Sequence, residues 1–509
     1  MFRRLIFVLF LILHICLFNI NSVEWGDSYR ILRASEYIRH LSYPADEKRP
    51  PMFSLILALR PTFVDQIFFG KVVLLFFSLA SFLVFAKLCD ILLPSGNPRN
   101  IALLLFTLNP VYLYWSLRIY ADVPFTFLVM LSAYLYFLWK TKLTYRRVLV
   151  LGLLAGIAVL TRFEGYILFA ALGFGLVLPD DWSKSVLSVK KLFGLVVSKL
   201  KYLIAYALAF SVLVLPYLVT SNPFASKYLE EPGGRTYDLK VVLVFIVSLL
   251  FVFGFTSAFA FLRNFRILLK SPFISIYILL ELMLILLWPA AIPRLFLPIL
   301  PFLIIGLAGS FNLYLTTFKD RKFITLVSLF LLAIYVVIQY YLKLQFLVPF
   351  KSTFVIVVAL QMLFIGSVWL RNTKISVSVM AISCLIWSLA SIWVHKDIYK
   401  STKDAAVYAA DNIQGLVGYN DVSSVTDWYL NVKSPDDNVI GSYYNYNKKA
   451  DLNYDSLLAR GYDYIMLTNE HNTDTTLDIE SRPYLEQIKE YRYTINGKDF
   501  WTKIVKVLK

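Results

Sequence analysis

Apolar runs of about 20 residues recur along most of this 509-residue chain, and they constrain its fold more than any other feature. A helix of about 20 residues is long enough to cross the roughly 30 Å hydrocarbon core of a bilayer. Hydrophobic residues make up 59% of the chain and charged residues only 16%. Soluble domains carry about 45–50% apolar and 25% charged residues. The sequence therefore predicts a polytopic α-helical membrane protein and excludes a soluble protein with a single core.

The apolar runs predict about 13 transmembrane helices. The first run follows Arg3 and Arg4, and we interpret it as a retained helix because no small-residue cleavage site of a signal peptide follows it. Segment 52–59 is too short to span and is expected to be re-entrant or interfacial. The other predicted spans are 71–93, 101–116, 124–139, 148–160, 166–178, 202–220, 241–262, 274–288, 295–312, 323–342, 353–370 and 375–394.

Basic residues fall in alternate loops between these spans, which predicts the orientation of the chain in the membrane. The basic loops, which are expected to be cytoplasmic, are 140–147, 184–201, 263–270, 319–322 and 371–374. The N-terminus is then cytoplasmic, and loop 19–51 and the C-terminal residues are extracytoplasmic. The net charge is −3 over residues 396–509 and +20 over the preceding residues. The positive charge thus belongs to the membrane part, and nucleic acid is not an expected partner.

Residues 396–509 are polar and predict a small soluble α/β domain. The predicted strands are 439–442, 462–468 and 501–507, and the predicted helices are 403–414 and 484–491. The predicted organisation is therefore a transmembrane catalytic domain over residues 1–395, with its external loop 19–51, and an extracytoplasmic domain over residues 396–509.

Charged side chains from distant segments gather on the predicted outer face of the membrane. Such residues are costly beside a bilayer unless they function there or lie in water. The carboxylates and cations concerned are Asp27, Lys48, Arg49, Asp122, Arg162, Glu164 and Arg294.

Five short motifs contain most of these charges and follow one another on the same predicted side. They are Gly26-Asp27-Ser28-Tyr29, Arg49-Pro50-Pro51-Met52, Asp122 after the third helix, Leu160-Thr161-Arg162, and Arg294 before a Leu/Pro-rich helix. The set resembles the GT-C superfamily of membrane glycosyltransferases. Within it, the set is most similar to the branch of dolichyl-phosphate-mannose–protein mannosyltransferases and aminoarabinose transferases. The motifs cover residues 1–312, and the later helices resemble the family by topology.

The resemblance implies a GT-C-like fold and a donor sugar, mannose or another hexose, linked to polyprenyl phosphate. Arg and Lys at the membrane surface can stabilise the negative charge that grows on the departing prenyl phosphate. The predicted phosphate-binding residues are Arg294, Arg162, Lys48 and Arg49. The acceptor is expected to be a protein, lipid or glycan on the extracytoplasmic face.

The same resemblance implies carboxylate catalysis of the transfer. Asp27 is predicted to take the proton of the acceptor hydroxyl as general base, with Asp122 as a second catalytic carboxylate, and a single displacement would invert the anomeric carbon. Glu164, Tyr29 and Trp115 are predicted to bind the acceptor or the sugar. Many protein mannosyltransferases carry an Asp-Glu pair in the first loop, whereas Ser28 follows Asp27 in this chain.

Structural interpretations of the same residues remain open in the sequence. Asp27 and Asp122 could each begin a helix as an N-cap, and Arg118 could pair with Asp122 one turn away. Arg162 and Arg294 could be interfacial anchors, because long cationic side chains extend toward lipid headgroups.

A divalent metal is a candidate cofactor, but the sequence predicts no ligand set for one. His40 lies in the same loop as Asp27, yet a lone histidine is more often not a ligand. Cys16, Cys89 and Cys384 show neither metal-ligand spacing nor a disulfide pattern.

Two other functions compete with the glycosyltransferase. Glu281 lies within a predicted span, and intramembrane carboxylates are typical of transport pathways. A flippase for lipid-linked oligosaccharides, or another membrane transporter, is therefore the alternative. A non-catalytic sensor or assembly protein is the third interpretation, and it requires that Asp27, Asp122 and Arg294 be replaceable.

Overall fold

The structure is a computed structural model, and it forms two compact units. One unit comprises Met1–Phe18 and Asp46–Ser391, and the other comprises Asn19–Ala45 and Ile392–Lys509. The residues described are 2–179, 189–221, 239–256, 271–288, 293–314, 318–340, 350–421, 423–433, 439–443, 454–470, 482–495 and 497–508.

Helices account for most of the described residues before residue 413. In chain order they are α1 (Phe2–Cys16), α2 (Asp27–Arg39), α3 (Met52–Ala58), α4 (Gln66–Leu92), α5 (Asn97–Thr107), α6 (Pro110–Ser116), α7 (Asp122–Trp139), α8 (Tyr145–Thr161), α9 (Gly165–Val177), α10 (Val189–Ser221), α11 (Leu239–Val252), α12 (Pro272–Leu287), α13 (Leu300–Tyr314), α14 (Phe318–Tyr340), α15 (Phe350–Trp369), α16 (Thr373–His395) and α17 (Lys400–Asn412). A 3₁₀ turn, Pro293–Phe296, precedes α13.

Within the described ranges, four helical stretches are long and apolar enough to cross a membrane: Gln66–Leu92, Asp122–Trp139, Leu192–Thr220 and Thr373–Asn412. Shorter apolar helices of 10–17 residues cover Gly165–Val177, Val241–Val252, Pro272–Leu287, Leu300–Phe311 and Val355–Trp369. The chain is therefore a multi-pass membrane protein, as its composition predicts, while the number of about 13 crossings stays a prediction. Lys184 and loop 263–270, which support the predicted orientation, lie outside the described residues.

The segment 101–116 does not form the single span that its apolar run predicts. The structure divides it into α5 and α6, because the Asn109 side chain begins a new helix. Its Oδ1 accepts hydrogen bonds from the backbone N–H groups of Val111 and Tyr112 at 3.0 and 3.1 Å. Pro110 has no N–H to satisfy and suits the first turn of the new helix. The prediction of one continuous helix is therefore wrong.

Helix packing in the first unit gathers the ends of segments that are distant in the chain. Helix α7 packs on α4, α8 on α10, and α9 on α12. The short helix α3 packs on α8, so the segment that follows Pro50-Pro51 contacts the helix that ends just before Arg162. The 3₁₀ turn packs on α6. These contacts set the positions of the charged residues described below.

The second unit contains a five-stranded mixed sheet with the order β2-β1-β3-β5-β4. The strands are β1 (Gly415–Tyr419), β2 (Val439–Tyr443), β3 (Tyr464–Thr468), β4 (Leu485–Ile495) and β5 (Lys498–Val507). Strands β2, β1 and β3 are parallel, and β5 is antiparallel to both β3 and β4. Short helical segments cover Val425–Asp427, Trp428–Val432 and α18 (Tyr454–Ala459).

Apolar side chains of β3, β4, β5 and the short helix α18 form a buried cluster on this sheet. Ile465 of β3 lies opposite Val505 of β5, and both are fully buried. Burying one such side chain stabilises a fold by about 1.5–3 kcal/mol. The buried cluster consists of Leu457, Tyr462, Ile465, Leu467, Leu485, Val505 and Val507.

Strands β2, β3 and β5 occupy the segments predicted as strands, but the helix predicted over residues 484–491 is wrong. That segment belongs to β4, which pairs with β5 along its whole length. Leu485 and Ile488 are spaced as on a helix, whereas the backbone partners supplied by β5 decide the structure. The pair Asn496-Gly497 is a hairpin-turn signal in the sequence, and Gly497 has a φ of 76°.

Glu470 follows β3 and is largely buried beside hydroxyl groups. The Ser401 hydroxyl donates to Glu470 Oε1 over 2.5 Å, and the Ser401 and Thr502 hydroxyl oxygens lie 2.9 Å apart. Burial raises the pKa of Glu470 to about 7, and the nearby Asp421 adds to the rise. The folded unit therefore retains this proton to a higher pH than the unfolded chain does.

The free energy of unfolding of this unit should consequently fall as pH rises. The contribution of Glu470 is fully present below about pH 4.5 and is lost by about pH 7, which amounts to about 3 kcal/mol. Amide hydrogen exchange of the sheet in the full-length protein, at pH 5 and pH 8, measures this change. Glu470→Gln removes the titration, so the variant should lose less protection than the native chain between the two pH values. Equal losses in both proteins would contradict the assignment.

Candidate active site

A tight turn between α8 and α9 places Arg162 and Glu164 beside each other. Helix α8 ends at Thr161, and Arg162 adopts an extended backbone with φ −151° and ψ 147°. Gly165 begins α9 against the backbone of Ala158 and Val159, where a Cβ atom would overlap main-chain atoms. Glycine at this position therefore allows the close approach that the turn requires.

Arg162 joins two carboxylates from different helices. Its Nη1 donates to Asp122 Oδ1 over 2.5 Å, and its Nε donates to Glu164 Oε1 over 3.1 Å, with Nη2 also paired to Glu164. The side chain of Asp122 is 2% exposed and that of Arg162 is 14% exposed. Asp122 lies in the first turn of α7, where the helix dipole favours a negative charge. The cluster therefore fixes the start of α7 to the turn between α8 and α9.

The ionisation of Glu164 reflects these neighbours. Burial opposes the charged form, but the Arg162 guanidinium, with a smaller contribution from Arg294, outweighs it and holds the pKa of Glu164 below its ordinary value. Glu164 is thus a carboxylate in an environment that two guanidinium groups make positive. Because two of the predicted phosphate ligands act on this one carboxylate, they belong to the same local site.

Aromatic rings support Arg294 on the 3₁₀ turn. Its Cζ lies 5.5 Å from the centroid of the Trp115 ring and 5.0 Å from that of Tyr120. The two rings meet edge to face at 4.9 Å. A guanidinium on aromatic faces gains about 0.5–2 kcal/mol, more when it is shielded from water. Tyr120 was missed in the sequence, where it is indistinguishable from an aromatic belt residue, although it precedes Asp122 by only two positions.

The structure therefore brings together five of the predicted site residues in the helical unit: Trp115, Asp122, Arg162, Glu164 and Arg294. Asp122 pairs with Arg162 from 40 positions along the chain, and the N-cap of α7 is Ala121. The N-cap interpretation of Asp122 is therefore wrong. Arg118, which the sequence offered as its partner, is fully buried with its guanidinium 5.2 Å from the Tyr114 ring centroid.

Arg49 lies before the Pro-Pro corner and pairs with Glu47. Its Nη1 donates to Glu47 Oε1 over 2.8 Å, and the Glu47 side chain is 1% exposed. The neighbouring Lys48 is half-buried. Glu47 was not among the predicted site residues, although an acidic residue two positions before Arg49 is a recognisable signal in the sequence.

Asp27 and Tyr29 belong to the second unit. Asp27 is the first residue of α2, and the N-cap is Gly26, so the N-cap interpretation of Asp27 is also wrong. Tyr29 is buried, and its ring stacks on Trp428 with 5.5 Å between centroids. The Ser28 hydroxyl donates to the buried Glu24 over 3.3 Å.

Among the residues that the structure describes, no group of three or more His, Cys, Asp or Glu side chains is placed to bind a metal ion. His40 lies exposed at the C-terminal end of α2. A divalent metal therefore has no cage of protein ligands in the described part of the chain.

No protein-family model and no curated protein sequence matches the chain, whereas several solved structures match it. ArnT from Cupriavidus metallidurans, bound to undecaprenyl phosphate, has a TM-score of 0.63 at 12% identity, covering 99% of this chain and 97% of ArnT. The arabinofuranosyltransferase AftD from Mycobacteria has a TM-score of 0.52 at 13% identity, covering 100% of this chain and 40% of AftD.

The archaeal oligosaccharyltransferase AglB from Archaeoglobus fulgidus, in complex with an inhibitory peptide and a dolichol-phosphate, has a TM-score of 0.50 at 11% identity. That match covers 92% of this chain and 70% of AglB. The chain therefore shares the fold of these structures, and the match to ArnT extends over nearly the whole of both chains. The chain has the GT-C fold, as the resemblance in its motifs predicts.

The bridging role of Arg162 leads to a stability prediction. Arg162→Met leaves two buried carboxylates without their shared cation, and breaking a buried pair from one side costs about 3–5 kcal/mol. Unfolding of the purified protein in detergent should show this loss. The triple variant with Asp122→Asn and Glu164→Gln should recover much of it, because no buried charge is then left unpaired.

Arg146→Met is the matched control, because Arg146 is exposed near the start of the same helix. It should change the stability by less than about 0.5 kcal/mol. An effect of Arg162→Met as small as that of the control would show that the bridge does not stabilise the fold.

Proposed function

We propose that this protein is a membrane glycosyltransferase that moves a single sugar from a polyprenyl-phosphate donor to an acceptor on the extracytoplasmic face. The main support for this proposal is the cluster of Asp122, Arg162, Glu164 and Arg294 within a GT-C fold. The undecaprenyl phosphate of ArnT and the dolichol-phosphate of AglB support this class of donor. The sugar is mannose or another hexose, and the acceptor is a protein, lipid or glycan.

The donor phosphate requires cations at the membrane surface, because negative charge grows on it as it departs. Arg162 bonds to two carboxylates, so its charge is largely balanced within the cluster. Arg294 follows Pro293 on the 3₁₀ turn, and the rings of Trp115 and Tyr120 hold its guanidinium. We assign the main phosphate contact to Arg294, because its position is fixed and a guanidinium can bind phosphate through a fork of N–H donors. Arg49 and Lys48 are assigned secondary contacts, and Arg162 holds the site together.

Transfer follows from proton removal and displacement. Asp27 takes the proton of the acceptor hydroxyl as the oxygen attacks the anomeric carbon, the bond from that carbon to the phosphate oxygen breaks, and prenyl phosphate departs with the electron pair. A single displacement inverts the anomeric carbon. Asp122 takes part as the carboxylate that orients Arg162, and the cations stabilise the charge of the leaving group.

Sugar and acceptor recognition is assigned to Glu164, Trp115 and Tyr29. Glu164 is bonded to Arg162 and lies within electrostatic range of Arg294, and its carboxylate can accept a hydrogen bond from a sugar hydroxyl. Trp115 contacts Arg294, so the residue assigned to the sugar also supports the residue assigned to the phosphate. Tyr29 lies on α2, two residues after Asp27, and its ring stacks on Trp428. It contributes to acceptor recognition by holding this segment in position.

The proposed location is a cell membrane, with the N-terminus in the cytoplasm and residues 396–509 outside.

Removal of divalent metal with EDTA separates a metal-assisted reaction from one that uses Asp27 alone. If activity survives EDTA, the base mechanism stands without a metal.

Transfer measured in vitro with a panel of radiolabelled polyprenyl-phosphate sugars tests this function. Asp27→Asn should lower kcat by about 10²–10⁴, because general-base catalysis contributes that factor. Arg294→Ala should lower kcat/KM for the donor by about 10²–10³, because a donor to the developing charge is lost. Arg146→Met is the control and should retain full activity. Full activity of Asp27→Asn would remove the base from the mechanism, and no transfer of any sugar by the native protein would reject the function.

The alternative is a flippase for lipid-linked oligosaccharides or another transporter, and Glu281 favours it. Glu281 is buried within α12, and its Oε2 has no hydrogen-bond partner among the described residues. Transport predicts that proteoliposomes translocate a lipid-linked sugar without transferring it, and that Glu281→Gln stops this movement. Transfer without translocation would favour the enzyme.

A further inference from the structure

The segment that carries Asp27 is fastened by hydrogen bonds to residues of the C-terminal part of the chain. Residues Asn19–Ala45 form one compact unit with Ile392–Lys509. At its start, the Ser22 N–H donates to the Lys396 carbonyl over 2.8 Å, and the Ser22 hydroxyl donates to Asp397 over 2.5 Å. Lys403 Nζ donates to the Ser22 carbonyl over 2.9 Å.

A second anchor lies immediately before Asp27. The N–H of Gly26 donates to the Ser423 carbonyl over 2.7 Å. Gly26 has a φ of 59° and a ψ of −122°, a conformation that glycine adopts readily and other residues rarely do. Since Gly26 is bonded directly to Asp27, the Ser423 carbonyl determines where the backbone of Asp27 begins its helix.

Asp421 fixes Ser423. Its Oδ1 accepts hydrogen bonds from the Ser423 N–H at 2.7 Å and from the Ser423 hydroxyl, and its Oδ2 accepts from the Thr426 N–H at 2.9 Å. The residue is 2% exposed. Hydrogen bonds from backbone N–H groups to a carboxylate are about twice as strong as those between neutral groups. The buried carboxylate therefore organises the turn whose carbonyl receives Gly26.

This turn is itself fixed to the sheet. Asn420 follows β1, its Nδ2 donates to the Thr468 carbonyl at 3.0 Å, and its Oδ1 accepts from the Thr468 N–H at 2.9 Å. Thr468 ends β3, so the carboxyl ends of two neighbouring parallel strands are joined just before Asp421. The order β2-β1-β3 makes this position the switch point of the parallel strands, where α/β folds place their functional loops.

One face of α2 lies along the same turn. Tyr29 stacks on Trp428, Arg30 Nε donates to the Ser424 hydroxyl over 3.3 Å, and Arg33 pairs with Asp427 over 3.5 Å. Positions 29 and 33 are one helical turn apart and therefore share a face. Contacts at both the start and the side of α2 leave its first residue little freedom to move.

We infer that Asp421 is a positioning residue for catalysis, acting on Asp27 through the Ser423 carbonyl and the Gly26 N–H. The inference rests on the proposed role of Asp27 as general base. A base must lie within hydrogen-bond range of the hydroxyl that it deprotonates, and a misplacement of about 1 Å can cost about 10²-fold in rate. A buried carboxylate in a turn that is fixed to two strands supplies this precision where a surface loop alone does not.

Asp421→Asn tests the inference in the full-length protein. The substitution preserves size, but it replaces one acceptor oxygen with an N–H₂ group that can only donate. The single remaining oxygen cannot accept from both Ser423 and Thr426. The expected result is a fall in kcat of about 10- to 100-fold with the KM for the donor unchanged. Asp404→Asn is the matched control in the same unit, because Asp404 accepts only a hydroxyl hydrogen bond from Tyr493 in the contacts described and lies on α17. It should retain full activity.

A double-mutant comparison separates positioning from general destabilisation. In the background of Asp27→Asn, Asp421→Asn should cause no further loss, because the residual rate no longer uses the base. Equal losses in both backgrounds would overturn the inference, as would full activity of Asp421→Asn beside an inactive Asp27→Asn. Full activity of Asp27→Asn would instead reject the proposed base itself.

Hydrogen exchange and a milder variant cover the case in which Asp421→Asn does not fold. Ser423→Ala keeps the backbone carbonyl and removes the hydroxyl bond to Asp421. It should accelerate amide exchange in residues 22–30 and lower kcat about threefold, with the same dependence on Asp27. Unchanged exchange and unchanged kcat in Ser423→Ala would count against the inference.

Discussion

The guanidinium of Arg162 is the group on which the charged site of the helical unit depends. Burying an isolated carboxylate costs several kcal/mol, and Asp122 and Glu164 are both almost withdrawn from water. One planar cation satisfies both, because a guanidinium presents several N–H donors in a fixed fork. The bridge also has a mechanical consequence. It joins the start of α7 to the turn between α8 and α9, so two helix ends that are 40 residues apart share one charge centre.

The two arginines of the site are held by different kinds of contact. Arg162 is matched by carboxylates, whereas Arg294 rests against the rings of Trp115 and Tyr120. Ring faces hold the Arg294 guanidinium by cation–π contact, and carboxylates hold the Arg162 guanidinium by directed hydrogen bonds. The sequence presents the two residues alike, as arginines near proline or a helix end, and only the contacts distinguish them.

The sequence predicts those parts of the fold that depend on a local pattern. Apolar runs predict membrane helices, and motif order predicts the GT-C fold, because each signal lies within one segment. The division of 101–116 depends on Asn109 capping a new helix, and a run of apolar residues on both sides hides it. Residues 485–495 form a strand because β5 supplies hydrogen-bond partners, which periodicity in a single segment does not register.

The same holds for the site residues: the sequence predicts a residue from its own motif but not the partner that the fold supplies. The positions of Asp122, Arg162 and Arg294 were predicted from motifs and from their common side of the membrane. Tyr120, a partner of Arg294, was not, because in the sequence it is indistinguishable from an aromatic belt residue. The predicted boundary at residue 396 likewise followed composition. The structure instead groups loop residues 19–45 with the tail through hydrogen bonds such as Gly26 to Ser423, which join residues about 400 positions apart.

The two units compensate their buried acidic residues in different ways. In the helical unit, charges must be compensated before they can be buried, so each acidic residue of the site is paired with a cation and the pairing itself sets the geometry. In the second unit, Asp421 is compensated by backbone N–H groups and a hydroxyl, a solution available where a turn follows a strand. The rings of Trp115 and Tyr120 hold Arg294, and the hydrogen bond from Gly26 to Ser423 holds the start of the helix that begins with Asp27. Under the proposed function, these contacts fix the phosphate ligand and the general base before the substrates bind.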